Sequence, residues 1–246
     1  GGVQSNHARA TAATAAKLGL HCVLIANGAK PATPRANALL DELLGAEIEY
    51  IPSRNERDRA MQGALHRLTG EGRKPYAIPL GASTPLGALA FARAVGELLA
   101  QTEPPDVIIH ATSSAGTQAG LVAGCALNGL GTRVMGVSAD DPADEIARKV
   151  RELVAGVATL LGVCGNVLTD TPVSVDAEFV GAGYGIPTPA SLEAQRLAAR
   201  TEALFVDNTY TAKALAALIA YVRAGRFRGR ETVLFWHTGG QVGIFA

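Results

Sequence analysis

This chain has little of what would mark several common protein classes. Its 246 residues hold three cysteines, Cys22, Cys125 and Cys164, far apart, odd in number and without C-x-x-C spacing. That argues against a disulfide framework and against a zinc site, and fits a reducing compartment. The five histidines are scattered without H-x-x-x-H spacing, so no metal is expected. No charge of one sign prevails: 22 Lys and Arg balance 22 Asp and Glu. No general field therefore draws nucleic acid or an anionic membrane. Apolar runs break off well short of the ~20 residues a span needs, and no signal peptide is evident. The expected location is cytoplasmic and the expected ligand small. Neither G-x-x-x-x-G-K-[ST] nor G-x-G-x-x-G occurs, so nucleoside triphosphates and dinucleotides have no motif here. The first residue is Gly rather than Met, and Gly1-Gly2 reads as the middle of a loop, which suggests an absent upstream segment.

What is present is an alternation of short apolar runs with helical patterns. Strands are expected at His21 to Ala26, Glu47 to Ile51, Tyr76 to Leu80, from Asp106, at Arg133 to Ser138, Val173 to Val180 and Thr232 to Trp236. Helices are expected between them, including an amphipathic one from Pro142 to Leu161 with Ile146, Val150, Leu153, Val154 and Val157 on its core face. Strands joined by helices of this length imply parallel pairing with right-handed crossovers. The fold class is α/β, with a smaller lobe at 1–78 and a larger one at 79–246.

One stretch organises the rest. After the apolar run Val107-Ile108-Ile109 come Ala111-Thr-Ser-Ser-Ala-Gly-Thr-Gln-Ala-Gly120 and a helix of small residues. A buried strand that turns into a helix through small hydroxylated residues aims backbone N–H groups and the helix dipole at one spot, where a phosphate would fit. An ordinary capped strand-to-helix turn reads the same way, and this stretch alone leaves both open. A second strand ends in His237-Thr238-Gly239-Gly240, again where open α/β sheets place their ligands.

Seven blocks carry a resemblance over nearly the whole chain: Gly-Gly-Val-Gln-Ser-Asn-His at 1–7, Ile-Pro-Leu-Gly-Ala-Ser at 78–83, Gly-Thr-Gln-Ala-Gly at 116–120, Tyr-Gly-Ile-Pro-Thr at 184–188, Ala-Arg-Thr-Glu at 199–202, Tyr-Thr-Ala-Lys-Ala at 210–214 and His-Thr-Gly-Gly at 237–240. Together they resemble the D-cysteine desulfhydrase and 1-aminocyclopropane-1-carboxylate (ACC) deaminase family. The resemblance implies pyridoxal 5′-phosphate as cofactor, the two-lobed fold type II architecture of the tryptophan synthase β-subunit with open, mostly parallel sheets and helices on both faces, an amino-acid substrate, and a homodimer. By position it implies that Ser114, Ala115, Gly116 and Thr117 hold the cofactor phosphate. Asn6 would bind the ring hydroxyl and Thr238 would lie beneath the pyridine nitrogen. Ser5, Tyr184 and Tyr210 would face the substrate. Apart from the resemblance, Ser5 reads as a helix cap, and the two tyrosines as half-buried aromatics at loop–helix junctions.

The branch is legible in three positions. The deaminase branch typically has Glu after the matched tyrosine, Leu where Thr238 stands and Gln where His7 stands; here they are Thr211, Thr238 and His7. A neutral hydroxyl near the ring nitrogen moderates the electron sink, which suffices for β-elimination of a good leaving group. The expectation is a carbon–sulfur lyase that converts D-cysteine or a related β-substituted amino acid to pyruvate, ammonia and sulfide. The alternatives are the deaminase, an L-cysteate sulfo-lyase, and a noncatalytic cofactor-binding fragment. The last arises because the family's cofactor-anchoring lysine belongs to a segment upstream of the first block. Lys17, Lys30, Lys74, Lys149 and Lys213 lie outside any such segment, and Lys213 reads as a surface or structural lysine. The cradle has Ala115 where relatives are often richer in Gly, so a Cβ restricts that turn.

Overall fold

The run Val107-Ile108-Ile109 contains no polar residue because both faces of its strand are covered. In the computed structural model, which describes residues 1–163, 168 and 170–246, the chain divides into two compact units, Gly1–Ala82 with Val242–Ala246, and Ser83–Gln241. Cys164 lies outside the described residues.

In the first unit, α1 (Asn6–Leu18), β1 (Val23–Asn27), α2 (Ala36–Leu43), β2 (Glu47–Ile51) and α3 (Arg57–Gly70) follow in order. The two strands pair in parallel, from Val23 opposite Glu47 to Asn27 opposite Ile51. Ser5 caps α1 by accepting the Ala8 N–H at 3.2 Å, and Gly19 ends it in the left-handed region at φ 66°. The strand expected at Tyr76 to Leu80 does not form. Pro75 precedes it and Pro79 lies within it, and each lacks an N–H to give a ladder, so among the described residues the segment pairs with no strand, and Tyr76 is 80% exposed.

The second unit comprises α4 (Pro85–Leu99), β3 (Val107–Thr112), α5 (Gly116–Leu127), β4 (Arg133–Ser138), α6 (Ala143–Leu161), β5 (Ser174–Asp176), α7 (Pro189–Glu202), α8 (Thr211–Arg223) and β6 (Val233–Trp236). Its sheet has the order β5-β4-β3-β6, all parallel. Every residue of β3 is buried. Val107, Ile109 and Ala111 pack with Ala214, Ala217 and Tyr221 of α8. Ile108 belongs to the opposite cluster, with Ala88, Ala92 and Val95 of α4, Leu121 and Val122 of α5, and Ile146, Val150, Val154 and Val157 of α6. Helices thus cover both faces. The expected core stripe of α6 is the buried one. β5 is shorter than the Val173–Val180 expected because the Asp176 carboxylate accepts the Glu178 N–H at 2.7 Å and turns the chain out of the ladder.

α4 and α5 lie close because two α5 glycines allow it. A Cβ on Gly120 would sit 2.2 Å from the Ala88 carbonyl oxygen, and one on Gly124 would sit 2.8 Å from Ala92 Cα. The resulting helix is charge-free and buried over most of its length, which fixes its first turn relative to the sheet.

Candidate active site

The strand order places a switch at β3. The chain moves from β3 through β4 to β5 on one side and returns on the other side with β6, so the carboxyl ends of β3 and β6 emerge side by side, with His110 opposite Trp236. Such a crevice is where open α/β sheets bind ligands. The Ser113–Thr117 turn leaves one strand and His237–Gly240 the other.

The cradle has the geometry of an anion site. The first intrahelical bond runs from the Ala119 N–H to the Ala115 carbonyl at 2.9 Å, so helix geometry leaves the amides of Gly116, Thr117 and Gln118 without intrahelical acceptors. Ala115 adopts φ 73° and ψ −18°, the left-handed conformation that costs an L-residue roughly 1–2 kcal/mol. Its methyl group is buried in the core cluster, which offsets part of that cost. Gly116 packs so tightly that a Cβ would come within 2.9 Å of Ser83 Oγ. That Ser83 hydroxyl is buried beside the cradle with no hydrogen-bond partner among the described residues. Leftover amides and an orphaned hydroxyl fit a phosphate group. Ser113 closes the other side by donating to Asp140 Oδ1 at 2.9 Å, which ties the turn to the segment after β4.

The two tyrosines meet at the same edge. Tyr184 Oη and Tyr210 Oη are 2.5 Å apart, with the rings edge to face at 5.6 Å between centroids. Burial pushes the Tyr210 phenol far above its ordinary range, and Tyr184, Asp140 and Asp207 push it further, so Tyr210 stays protonated at neutral pH. Asp207 fixes the turn that carries it. Its Oδ2 accepts the N–H groups of Thr209 and Tyr210, and its Oδ1 accepts both the N–H and the hydroxyl of Thr211. The Thr211 side chain is therefore occupied inside the turn. Thr238 is exposed on the loop after β6. His237 shapes that loop: Nε2 donates to the Phe205 carbonyl at 3.1 Å and Nδ1 accepts the Gly239 N–H at 3.0 Å.

The family model of pyridoxal-phosphate dependent enzymes matches residues 1–239. The chain belongs to this family. Relatives within it include D-cysteine desulfhydrases of Salmonella typhi and of Salmonella newport, each 34% identical over 254 residues, covering 100% of this chain and 76% of the relative. A crystal structure of an ACC deaminase homologue matches with a TM-score of 0.91 at 33% identity, covering 100% of this chain and 74% of that one. The threonine deaminase of T.th., at 22% identity and a TM-score of 0.65 over 96% of this chain and 75% of that one, shares the fold of the family.

Within the larger unit the expected residues Ser114, Ala115, Gly116, Thr117, Tyr184, Tyr210 and Thr238 all lie on the loops and helix starts described above. Ser5 and Asn6 stand at the start of α1 in the smaller unit. Ser5 is a helix cap, as its type suggested, and its hydroxyl hydrogen remains available to donate. Asn6 is aimed by a residue that carries no signal in the sequence. The buried Asn37 donates from Nδ2 to Asn6 Oδ1 at 2.7 Å and to the Gln4 carbonyl at 3.0 Å, while its own N–H donates to Gln4 Oε1. With its oxygen engaged, Asn6 presents its Nδ2 donor. In the larger unit Ser83 and Asp207 shape the candidate site without being expected to, and His237 shapes the expected 237–240 loop. Only Asp207, as an Asx residue before a helix, carries a local signal.

Proposed function

We propose that this protein is a carbon–sulfur lyase that converts D-cysteine and water to pyruvate, ammonia and hydrogen sulfide. The observation that carries the reading is the neutrality of two positions: Thr211 is a hydroxyl held by Asp207, and Thr238 is an exposed hydroxyl at the end of β6. Neither offers the acid–base group nor the apolar cap that resemblance assigns to ring-opening deaminases. The similarity to Salmonella D-cysteine desulfhydrases supports the same substrate class.

On this reading the amides of Gly116 and Thr117, with Ser114 and Ala115 shaping the turn, would hold the phosphate. Thr238 would meet the ring nitrogen without a charge, and the resemblance assigns the ring hydroxyl to Asn6. Pyridoxal phosphate supplies, when bound, the electron sink that lets an amino acid lose its Cα proton and then a Cβ leaving group. The resemblance assigns to Ser5 the binding of the substrate carboxylate or assistance with proton transfer. The hydroxyls of Tyr184 and Tyr210 are hydrogen-bonded to each other, and because Tyr210 stays protonated the pair would donate towards the departing sulfur rather than remove a proton as a phenolate. The same reading carries a homodimer, as the resemblance implies, and a cytoplasmic location, as the sparse cysteines suggest.

The test incubates the natural gene product that contains this sequence, with cofactor, against D-cysteine, L-cysteine, L-cysteate and ACC. Sulfide and pyruvate in equal amounts from D-cysteine are expected. Release of 2-oxobutanoate from ACC, or of sulfite from L-cysteate, as the fastest reaction would overturn the assignment.

A further inference from the structure

Lys213 lies in the first turn of α8, a position that reads as an ordinary helix lysine, yet it is 1% exposed. Its Nζ donates to three backbone carbonyls: Val180 at 2.8 Å, Gly183 at 2.8 Å and Ala139 at 3.3 Å. Among the described residues no carboxylate ion-pairs with it; Asp140 and Asp207 favour its charge from further away, against the burial that opposes it. An ammonium with three N–H groups and three carbonyl partners is a satisfied cation site that happens to be tethered to the chain. The backbone is built to supply those carbonyls. Gly181 and Gly183 take φ 67° and 139°, where an L-side chain is strained, and this turns the loop inward. Ala139 follows β4 and donates its own N–H to the Thr112 carbonyl at the end of β3.

We propose that Lys213 is a positioning residue: its ammonium fills a carbonyl-lined cation site that holds the Val180–Gly183 loop against the carboxyl edge, so that Tyr184, the next residue, meets Tyr210. α8 then sets both partners, because Tyr210 is the residue before its first turn and Lys213 lies inside that turn. A free ammonium or potassium ion has the size and coordination to replace the side-chain ammonium once the side chain is shortened. The kinetic consequence rests on the two tyrosines being the working hydroxyls; the structural consequence does not.

The experiment uses the natural gene product with Lys213→Ala and Lys213→Met, in choline chloride and in ammonium chloride at equal ionic strength. Limited proteolysis reads the segment 177–187. Lys213→Ala is expected to be nicked there about tenfold faster than the parent in choline and to be restored to within about threefold by ammonium. Lys213→Met fills the space with apolar atoms and is expected to be nicked with no recovery. The parent is expected to ignore the change of cation. The Lys213→Ala turnover number should follow the same cation dependence. Equal responses of the two variants to ammonium, or an intact loop in Lys213→Ala in choline, would overturn the proposal. Should neither variant fold, ¹⁵N-lysine labelling of the parent decides. A slowly exchanging ammonium resonance at neutral pH supports the clamp, and its absence refutes it. Proteolysis and exchange are read without any substrate, so a failure of D-cysteine turnover remains a separate result.

Discussion

The two units hold their candidate site residues by different means. In the smaller unit Asn6 is aimed by another side chain, Asn37, in a network of Gln4, Asn6, Arg9 and Asn37. In the larger unit the cradle is aimed by backbone, through a buried strand end, the leftover amides of α5, and a helix pressed against its neighbour by glycine. A backbone-built site tolerates many side chains but no change of spacing. A side-chain-built site depends on identities that leave no periodic trace. The contrast extends to solvent, since β1 is only partly buried at its ends and no residue of β2 is fully buried, while every residue of β3 is.

Glycine substitution gives the sharpest break between the units. Gly120→Val in α5 drives a Cβ to within 2.2 Å of the Ala88 carbonyl. Because that neighbour is backbone, the helices must separate, and a loss of about 3 kcal/mol or more is expected for the larger unit. Gly63 in α3 has open space where its Cβ would go and ordinary helical backbone. Gly63→Ala should stabilise the smaller unit by roughly 0.5–1 kcal/mol. Urea melts followed by hydrogen exchange in each unit check both; a tolerated Gly120→Val would show that α4 and α5 are not in close contact.

The same contrast sets how much of the molecule is legible in its sequence. The cradle, the order of strands and helices and the core stripe of α6 follow from periodicity and turn chemistry, which are local. The run from Tyr76 to Leu80 is apolar enough to suggest a strand, but Pro75 and Pro79 outweigh that character. Asn37, Ser83 and Lys213 are illegible for a different reason. Asn37 acts on Gln4 and Asn6, Ser83 lies against Gly116 and Lys213 acts on backbone carbonyls, and an Asn, a Ser or a Lys in a helix or loop looks the same whether it faces water or the protein. The branch-marking residues Thr211 and Thr238 are legible only through resemblance.

The units should also answer pH with opposite signs. His110 on β3 is fully buried, its Nδ1–H donates to the Ala111 carbonyl, and burial lowers its pKa from 6.5 to about 4. Between those values the unfolded chain carries a proton that the folded chain does not. The larger unit therefore gains stability as pH rises from 4 to 6.5, by at most about 3 kcal/mol. Asp41 in α2 is buried with one carboxylate oxygen unpartnered among the described residues, and desolvation raises its pKa from 3.8 to about 6 despite Arg9. Here the folded chain keeps a proton that the unfolded chain has lost, so the smaller unit loses stability as pH rises from 3.8 to 6, by up to about 3 kcal/mol. Exchange measured unit by unit between about pH 4 and 7 should show the crossing. His110→Asn should flatten one limb and Asp41→Asn the other, and limbs of the same sign would refute both attributions.

The smallest effect separates strain from burial. Ala36 in the smaller unit and Ala115 in the larger one both adopt positive φ, at 49° and 73°. Replacement by glycine relieves roughly 1–2 kcal/mol of left-handed strain at each and costs roughly 0.5–1 kcal/mol of added unfolded-chain entropy. Ala115 also loses a methyl buried in the core cluster, worth about 0.8 kcal/mol, whereas Ala36 is only partly buried. Ala36→Gly should therefore gain about 0.5 kcal/mol, and Ala115→Gly should come out near zero. Chemical denaturation resolves the two when each is compared with its own unit's baseline. A clear gain at Ala115 would mean that its methyl group contributes nothing to the core. The cradle turn would then be held by backbone strain alone.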